Sequence, residues 1–255
     1  MDDEKNFEVK KYDFVIIKVG TNTIIKNSGV NKEFLTQLVL EVGELTKQGK
    51  KVVIVSSGAV GLGRKAINFT PIDVKGQQGL AAIGQVLLVE EYRKRFSNIG
   101  LEVAQVLLSQ SDLLTAECFN NIRNAFDFLF EHKVIPIVNE NDVVATEELR
   151  KNGSFSDNDA LASMLATKLK ANLLVMLTEK GGLIGKSGEV LEEFVCIEDL
   201  ATLVDSKGGR GGIDSKLKAI LATTQGGCDV FISGSNGLKG FSEGKAIGTI
   251  TKSKS

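Results

Sequence analysis

Lys11-Tyr12-Asp13-Phe14-Val15-Ile16-Ile17-Lys18-Val19-Gly20-Thr21-Asn22 is the stretch whose reading decides the fold. Four apolar residues, three of them β-branched, run straight into a lysine. A continuous apolar run of this kind predicts a strand buried on both faces. Lys18 falls at its far end, and in open parallel sheets ligands collect at the carboxyl ends of the strands. Gly20 lets bare backbone approach a ligand, and Thr21 and Asn22 set polar groups beside it. A strand-end lysine is ordinarily solvated, because lysine is so rarely buried. An anion-directed Lys18 therefore needs support from the rest of the chain.

Outward from that strand, the pattern alternates. Phe34, Leu35, Leu38, Val42 and Leu45 recur at helical spacing, and Gln48-Gly49 ends that helix. Val52-Val53-Ile54-Val55 is a second buried strand, breaking into Ser56-Ser57-Gly58-Ala59-Val60-Gly61-Leu62-Gly63. Such a small-residue turn into a helix can cradle an anion on backbone N–H groups, or simply allow tight helix–sheet packing. Gly76 to Ser97 reads as a long helix around Ala81-Ala82-Ile83-Gly84-Gln85, Glu102 to Leu108 as a strand, and Asn121 to Phe130 as a helix. Val134 to Val138 is another strand, in which Pro136 predicts a bend or a sheet edge. This alternation predicts an α/β fold on a mainly parallel sheet covered on both faces.

Composition removes several classes of function. The chain has 255 residues, long enough for a sizeable core, with 42% hydrophobic and 25% charged residues. A net charge of −1 provides no general field for nucleic acid or an acidic membrane. There is no leading apolar segment and no apolar run of membrane-spanning length, so neither a signal peptide nor a span is expected. Cys118, Cys196 and Cys228 are far apart with no CxxC pair, which fits reduced thiols in a cytoplasm. His132 is the single histidine and falls at the end of a helix, so a histidine triad and a histidine-rich metal site are both disfavoured. Residues 1–10 are charged and read as a disordered tail.

The polar residues gather in three places. Asn139-Glu140-Asn141-Asp142 follows a strand, and Asp157-Asn158-Asp159 opens a helix that continues to Leu169. N-capping and first-turn acids explain one or two of these residues. They do not explain two dense clusters flanking one connection. Amides and carboxylates at strand ends suit the ammonium of an amino acid, and an aspartate between two lysines keeps both charged. Leu173 to Leu177 is a strand ending in Thr178-Glu179, followed by a predicted hairpin over Lys180 to Gly188. Gly208-Gly209-Arg210-Gly211-Gly212-Ile213-Asp214-Ser215-Lys216 then opens a helix to about Gln225 and puts Lys216 on its first turn. Paired glycines ahead of such a lysine can wrap a polyphosphate, or form a flexible loop. The GxxxxGK[ST] spacing of a Walker A loop is missing.

Taken in order, Lys18-Val19-Gly20-Thr21, Ser56-Ser57-Gly58-Ala59, Ala81 to Gln85, Asn139 to Asp142, Asp157-Asn158-Asp159 and Gly211 to Lys216 resemble the amino acid kinase family, over about residues 12–250. Among its members, the set is most similar to those that phosphorylate the γ-carboxylate of L-glutamate. The resemblance implies a three-layer αβα sandwich on an open, mainly parallel sheet. It implies a single domain over 11–255, the N-terminal half holding glutamate and the half from about residue 172 holding ATP. Lys18, Lys216 and Asp159 would be catalytic, with Asp159 organising the two lysines. Ser57, Gly58, Asp142, Asn158 and Asp157 would bind glutamate. Lys18, Gly20, Thr178, Glu179 and Arg210, Gly211, Gly212, Ile213, Asp214, Ser215 and Lys216 would bind ATP, with Mg²⁺ carried on the nucleotide and no separate metal site.

The chain departs from the family at Glu179, where aspartate is usual, at Ile184-Gly185-Lys186, where Tyr and Asp-Pro are usual, and at Ile213, where Met is usual. All three departures fall on the nucleotide side. The chain stops at Ser255 and resembles the short form that lacks a C-terminal PUA domain. A homo-oligomer under proline feedback is the implied assembly, in the cytoplasm, with neither nucleic acid nor membrane as a partner. The alternatives are a sister kinase acting on acetylglutamate, aspartate, carbamate or a nucleoside monophosphate, and a non-catalytic sensor of an amino acid or nucleotide. A carboxylate acceptor is already ionised at neutral pH, its ordinary pKa being about 4.3, so the chemistry needs no general base.

Overall fold

The apolar run around Ile16 forms β1 (Phe14–Val19), which lies parallel between β4 (Lys51–Ser56) and β7 (Leu173–Thr178). A computed structural model describes residues 9–26, 29–71, 73–144, 158–179, 181–195, 210–235 and 237–253, with the backbone alone at 210–214. With β5 (Val103–Leu108), β6 (Ile135–Glu140), β8 (Asp229–Gly234) and β9 (Gly248–Thr251), these strands form a seven-stranded sheet in the order β5-β6-β4-β1-β7-β8-β9. Every neighbouring pair is parallel except β9, which runs antiparallel on β8.

Alternation along β1 builds two cores. Val15, Ile17 and Val19 face a layer that includes Leu35, Leu38 and Val42 of α2 (Lys32–Lys47), Leu62 of α3 (Ala59–Ile67) and Tyr92 of α4 (Val74–Ser97). Ile16 faces the opposite layer, with Phe126 of α6 (Ala116–Glu131), Leu161 and Leu165 of α7 (Asn158–Leu169) and Ile220 of α8 (Arg210–Gln225). The result is a three-layer αβα sandwich. Each fully buried Val, Leu or Ile contributes about 1.5–3 kcal/mol. Lys18 has the parity of Ile16, so it is directed to the face covered by α7 and α8.

α3 and α4 meet closely. A Cβ added at Gly63 would run into the Leu80 carbonyl, and one at Gly84 into the Ala59 carbonyl. At the amino end of the sheet, Asp229 ties β8 to both ends of the described chain. Its Oδ2 accepts from Tyr12 Oη at 2.7 Å and Lys252 Nζ at 3.2 Å. Its Oδ1 accepts from the Ser253 backbone N–H at 2.8 Å and Ser253 Oγ at 2.9 Å.

Several sequence expectations need correction. Pro136 lies in β6, an interior strand between β5 and β4. Ile135 donates its N–H to Glu102 on the β5 side at 2.9 Å, so by alternation the missing donor of Pro136 falls on the β4 side. The β4 ladder begins only at Ile137, so little is lost there. The predicted tail reaches too far, because Val9–Lys11 form a 3₁₀ turn with Val9 fully buried; residues 1–8 lie outside the described residues. α6 begins earlier than predicted and is preceded by α5 (Gln110–Leu114), whose Ser109 shares a capping box with Asp112. The helix α1 (Thr21–Ile24) and the hairpin of β2 (Ile25–Lys26) and β3 (Gly29–Val30) follow β1. The expected hairpin after β7 pairs Ile184 with Val190, and its Lys180 is outside the described residues.

Candidate active site

Four adjacent strands end at one edge of the sheet, and each delivers a polar residue there. β1 brings Lys18, β4 leads into Ser57, β6 ends in Asn139-Glu140, and β7 ends in Thr178. The turn after β4 closes on Gly58, the N-cap of α3, with φ of 112°, a left-handed conformation that favours glycine. Ser57 extends the strand pairing by donating its backbone N–H to the Val19 carbonyl at 3.0 Å.

The first turn of α7 adds Asn158 and Asp159 to this edge. Neighbours on a helix project about 100° apart, so the two side chains serve different partners. Asp159 joins the lysines: Lys18 Nζ lies 2.6 Å from its Oδ1 and Lys216 Nζ 2.8 Å from its Oδ2. Side-chain exposure is 11% for Lys18, 24% for Lys216 and 9% for Asp159. Burial pushes the Asp159 carboxyl up, but the ammonium groups of Lys18 and Lys216 overcome that and hold it below the usual carboxylate value. Asn158 joins the amide side: its Nδ2 donates to Ser57 Oγ at 2.9 Å and to Asn139 Oδ1 at 3.1 Å. Asn139 Nδ2 in turn donates to Gln85 Oε1, on α4, at 2.8 Å. A charged cluster and an amide cluster thus stand side by side.

The structure therefore brings Lys18, Lys216 and Asp159 into direct contact, and likewise Ser57 and Asn158. Asp142 lies half-buried in the turn beyond β6. Gly20 caps α1, and a Cβ added there would sit 3.6 Å from Lys18 Nζ, so glycine leaves that flank of the ammonium bare. Thr178 Oγ1 is buried without a hydrogen-bond partner among the described residues, at the strand end where a nucleotide is expected. Glu179 follows it, exposed. Asp157, Gly208 and Gly209 lie outside the described residues, as do the side chains of Arg210, Gly211, Gly212, Ile213 and Asp214. Helix α8 already begins at Arg210, which takes Gly211 and Gly212 into the helix and moves Lys216 to its second turn, a correction to the first-turn placement. Glycine costs a helix about 1 kcal/mol per residue without forbidding it. Ser215 is half-buried one residue before Lys216. His132 caps α6, with Nδ1 2.9 Å from the Phe128 carbonyl, away from this chemistry.

Sequence reasoning assigned no role to Gln85 and read Asn139 only as part of the polar cluster after its strand; both join the amide cluster. The available signal was a glutamine in a run of small residues and an asparagine closing an apolar strand. A cavity of about 680 Å³, lined among others by Lys26, Lys32, Ser235 and Lys239, includes none of the clustered residues. Convergent charge locates the site better than the size of that hollow.

The comparisons with known proteins agree with this geometry. The amino acid kinase family model matches residues 13–234. The chain is 38% identical over 254 residues to the glutamate 5-kinase of Enterococcus faecalis, covering 92% of this chain and 93% of that one. It is 35% identical over 246 residues to the glutamate 5-kinase of Thermotoga maritima, covering 92% of this chain and 67% of that one. Among solved structures it resembles the carbamate kinase from Giardia lamblia bound to AMP-PNP, with a TM-score of 0.65 and 18% identity over 96% of this chain and 99% of that one, which is a likeness of fold. By sheet order, by converging lysines and by sequence, the chain belongs to the amino acid kinase family.

Proposed function

We infer that the chain transfers the γ-phosphoryl group of ATP to the γ-carboxylate of L-glutamate, forming γ-glutamyl phosphate and ADP, the first step towards proline. The observation that carries this reading is the pair Lys18 and Lys216, from opposite ends of the sequence, gripping one buried aspartate beside a hydroxyl–amide cluster. The glutamate 5-kinases among its relatives support the choice of acceptor.

The chemistry asks for relief of repulsion. An ionised carboxylate must approach a polyanionic phosphoryl group, and charge spreads over its oxygens in the transition state. Two ammonium groups answer that need. At about 4 Å and an effective dielectric near 20, one such interaction is worth on the order of 4 kcal/mol before desolvation. Only the part that strengthens in the transition state raises the rate. Asp159 holds both ammonium groups in place. Lys18 would touch the travelling phosphoryl group, and Lys216, with Gly20, Thr178, Glu179 and residues 210–215, the nucleotide. Ser57, Gly58, Asn158 and Asp157 would hold glutamate, with the carboxylate of Asp142 suited to its α-ammonium group. On this reading the glutamate side precedes residue 172 and the ATP side follows it.

No group of three or more His, Cys, Asp or Glu side chains that could hold a metal ion occurs among the described residues. Mg²⁺ would arrive on the nucleotide, since this ion is commonly held by substrate phosphates and water with one or two carboxylates. It would supply further neutralisation of phosphate charge. The homo-oligomer, proline feedback and cytoplasmic setting belong to the same proposal. No described helix is long and apolar enough to cross a membrane. The direct experiment is incubation with Mg-ATP, L-glutamate and hydroxylamine, which traps an acyl phosphate as its hydroxamate. A glutamate-dependent hydroxamate is the expected result; hydroxamate or ADP release with a different acceptor, and none with glutamate, would overturn it.

A further inference from the structure

We propose that Gln85 is a positioning residue for the amino acid acceptor, acting through Asn139 and Asn158 to set the direction in which the Ser57 hydroxyl donates. The inference rests on the glutamate reading above and adds a residue to it. Gln85 is only 7% exposed and sits on α4 beside Gly84, where that helix touches α3.

Amide orientations are deduced from their partners, and here one backbone group decides all of them. The Glu140 backbone N–H can only donate, so the Asn139 atom 2.9 Å from it is the oxygen. Asn139 therefore turns Nδ2 towards Gln85, and the facing Gln85 atom, 2.8 Å away, is the acceptor Oε1. The same Asn139 oxygen receives Asn158 Nδ2 at 3.1 Å, so Asn158 also presents nitrogen to Ser57 Oγ at 2.9 Å. Ser57 Oγ is thereby an acceptor within the protein. Its own proton meets no acceptor among the described residues and is directed to a ligand oxygen, as a carboxylate requires.

Gln85 is the terminal acceptor of this relay. Without its oxygen the buried Asn139 amide has an unsatisfied donor, which is costly, and the relay relaxes to another arrangement. Packing alone does not account for the choice of glutamine. Gln85 Nε2 is itself buried without a partner among the described residues, and an apolar side chain would avoid that penalty.

Steady-state kinetics of the full chain test the relay, with Gln85→Met replacing the acceptor at similar volume. The expected KM for glutamate rises about tenfold, while kcat and the KM for Mg-ATP stay within about twofold. In a Ser57→Ala background the same change adds less than about twofold, because both act through one hydroxyl. Gln85→Glu keeps an oxygen facing Asn139 and stays within about threefold of the parent, a comparison that holds even if Gln85→Met fails to fold. Additive penalties, an equal rise in both KM values, an unchanged glutamate KM in Gln85→Met, or a tenfold rise in Gln85→Glu would each overturn the relay alone. A parent protein that turns over another acceptor and never glutamate would overturn the relay and the glutamate reading together.

Discussion

Asp159 and Asp229 are both aspartates paired with lysine, at opposite ends of the same sheet. Burial pushes each carboxyl up, and its partners overcome that to hold it below the usual range. The partners differ in kind. Asp229 is satisfied mainly by neutral donors, the Ser253 backbone and hydroxyl and the Tyr12 phenol, with a Lys252 side chain that is 42% exposed. Asp159 shares its two oxygens between two ammonium groups, both largely withdrawn from water. Burying cations is expensive, and two on one carboxylate repel each other. An arrangement built for stability has no use for the second lysine; one built to receive an anion does. The Asp229 cluster closes the amino end of the sheet, and the Asp159 cluster opens the carboxyl end.

The largest effect that separates the two ends should come from the lysines. Lys18→Ala and Lys216→Ala should each lower kcat by about 10²–10³-fold, the scale of losing one preorganised electrostatic contact to a transition state, with the melting temperature near that of the parent. Near-normal turnover in either variant would remove that lysine from the mechanism. Asp159→Asn should follow at about 10–100-fold in kcat, since both ammonium groups lose their common anchor; a variant with full activity and lowered stability would make Asp159 a structural residue like Asp229. Asp142→Ala should raise the KM for glutamate about tenfold and leave the KM for Mg-ATP alone, and an unchanged glutamate KM would place the amino acid elsewhere.

The smallest effect on catalysis belongs to Asp229→Asn. Turnover should be unchanged, and urea unfolding should show a loss of about 1–2 kcal/mol from weakened charge-assisted hydrogen bonds. The sign with pH follows from the depressed folded-state pKa of Asp229. Its contribution is complete above the ordinary carboxylate pKa of about 4 and is lost as pH falls through the folded value. The stability gap between parent and Asp229→Asn should therefore be constant near neutrality and shrink in acid. A gap that widens in acid would contradict the pairing.

Much of this contrast was legible from local pattern, and the rest was not, for a physical reason. Four apolar residues before Lys18 announce a buried strand, and the order of the run places the lysine near its carboxyl end. Asp159 was readable as a first-turn acid between two lysine-bearing segments. Asn139 stood out only as one member of a polar cluster and Gln85 not at all, because a hydrogen bond between side chains 54 positions apart leaves no mark on the periodicity of either segment. Pro136 misled because edge strands are its usual home, whereas an interior strand tolerates it before a ladder begins. The helix start at Arg210 was missed because paired glycines ordinarily mark a loop.

Because α3 and α4 touch as bare backbone at Gly63 and Gly84, no flexible side chain cushions the gap between the Ser57 turn and Gln85. The crossing works as a calliper whose setting is a carbonyl radius. A single methyl group at Gly84 would wedge the helices apart and carry Gln85 away from Asn139.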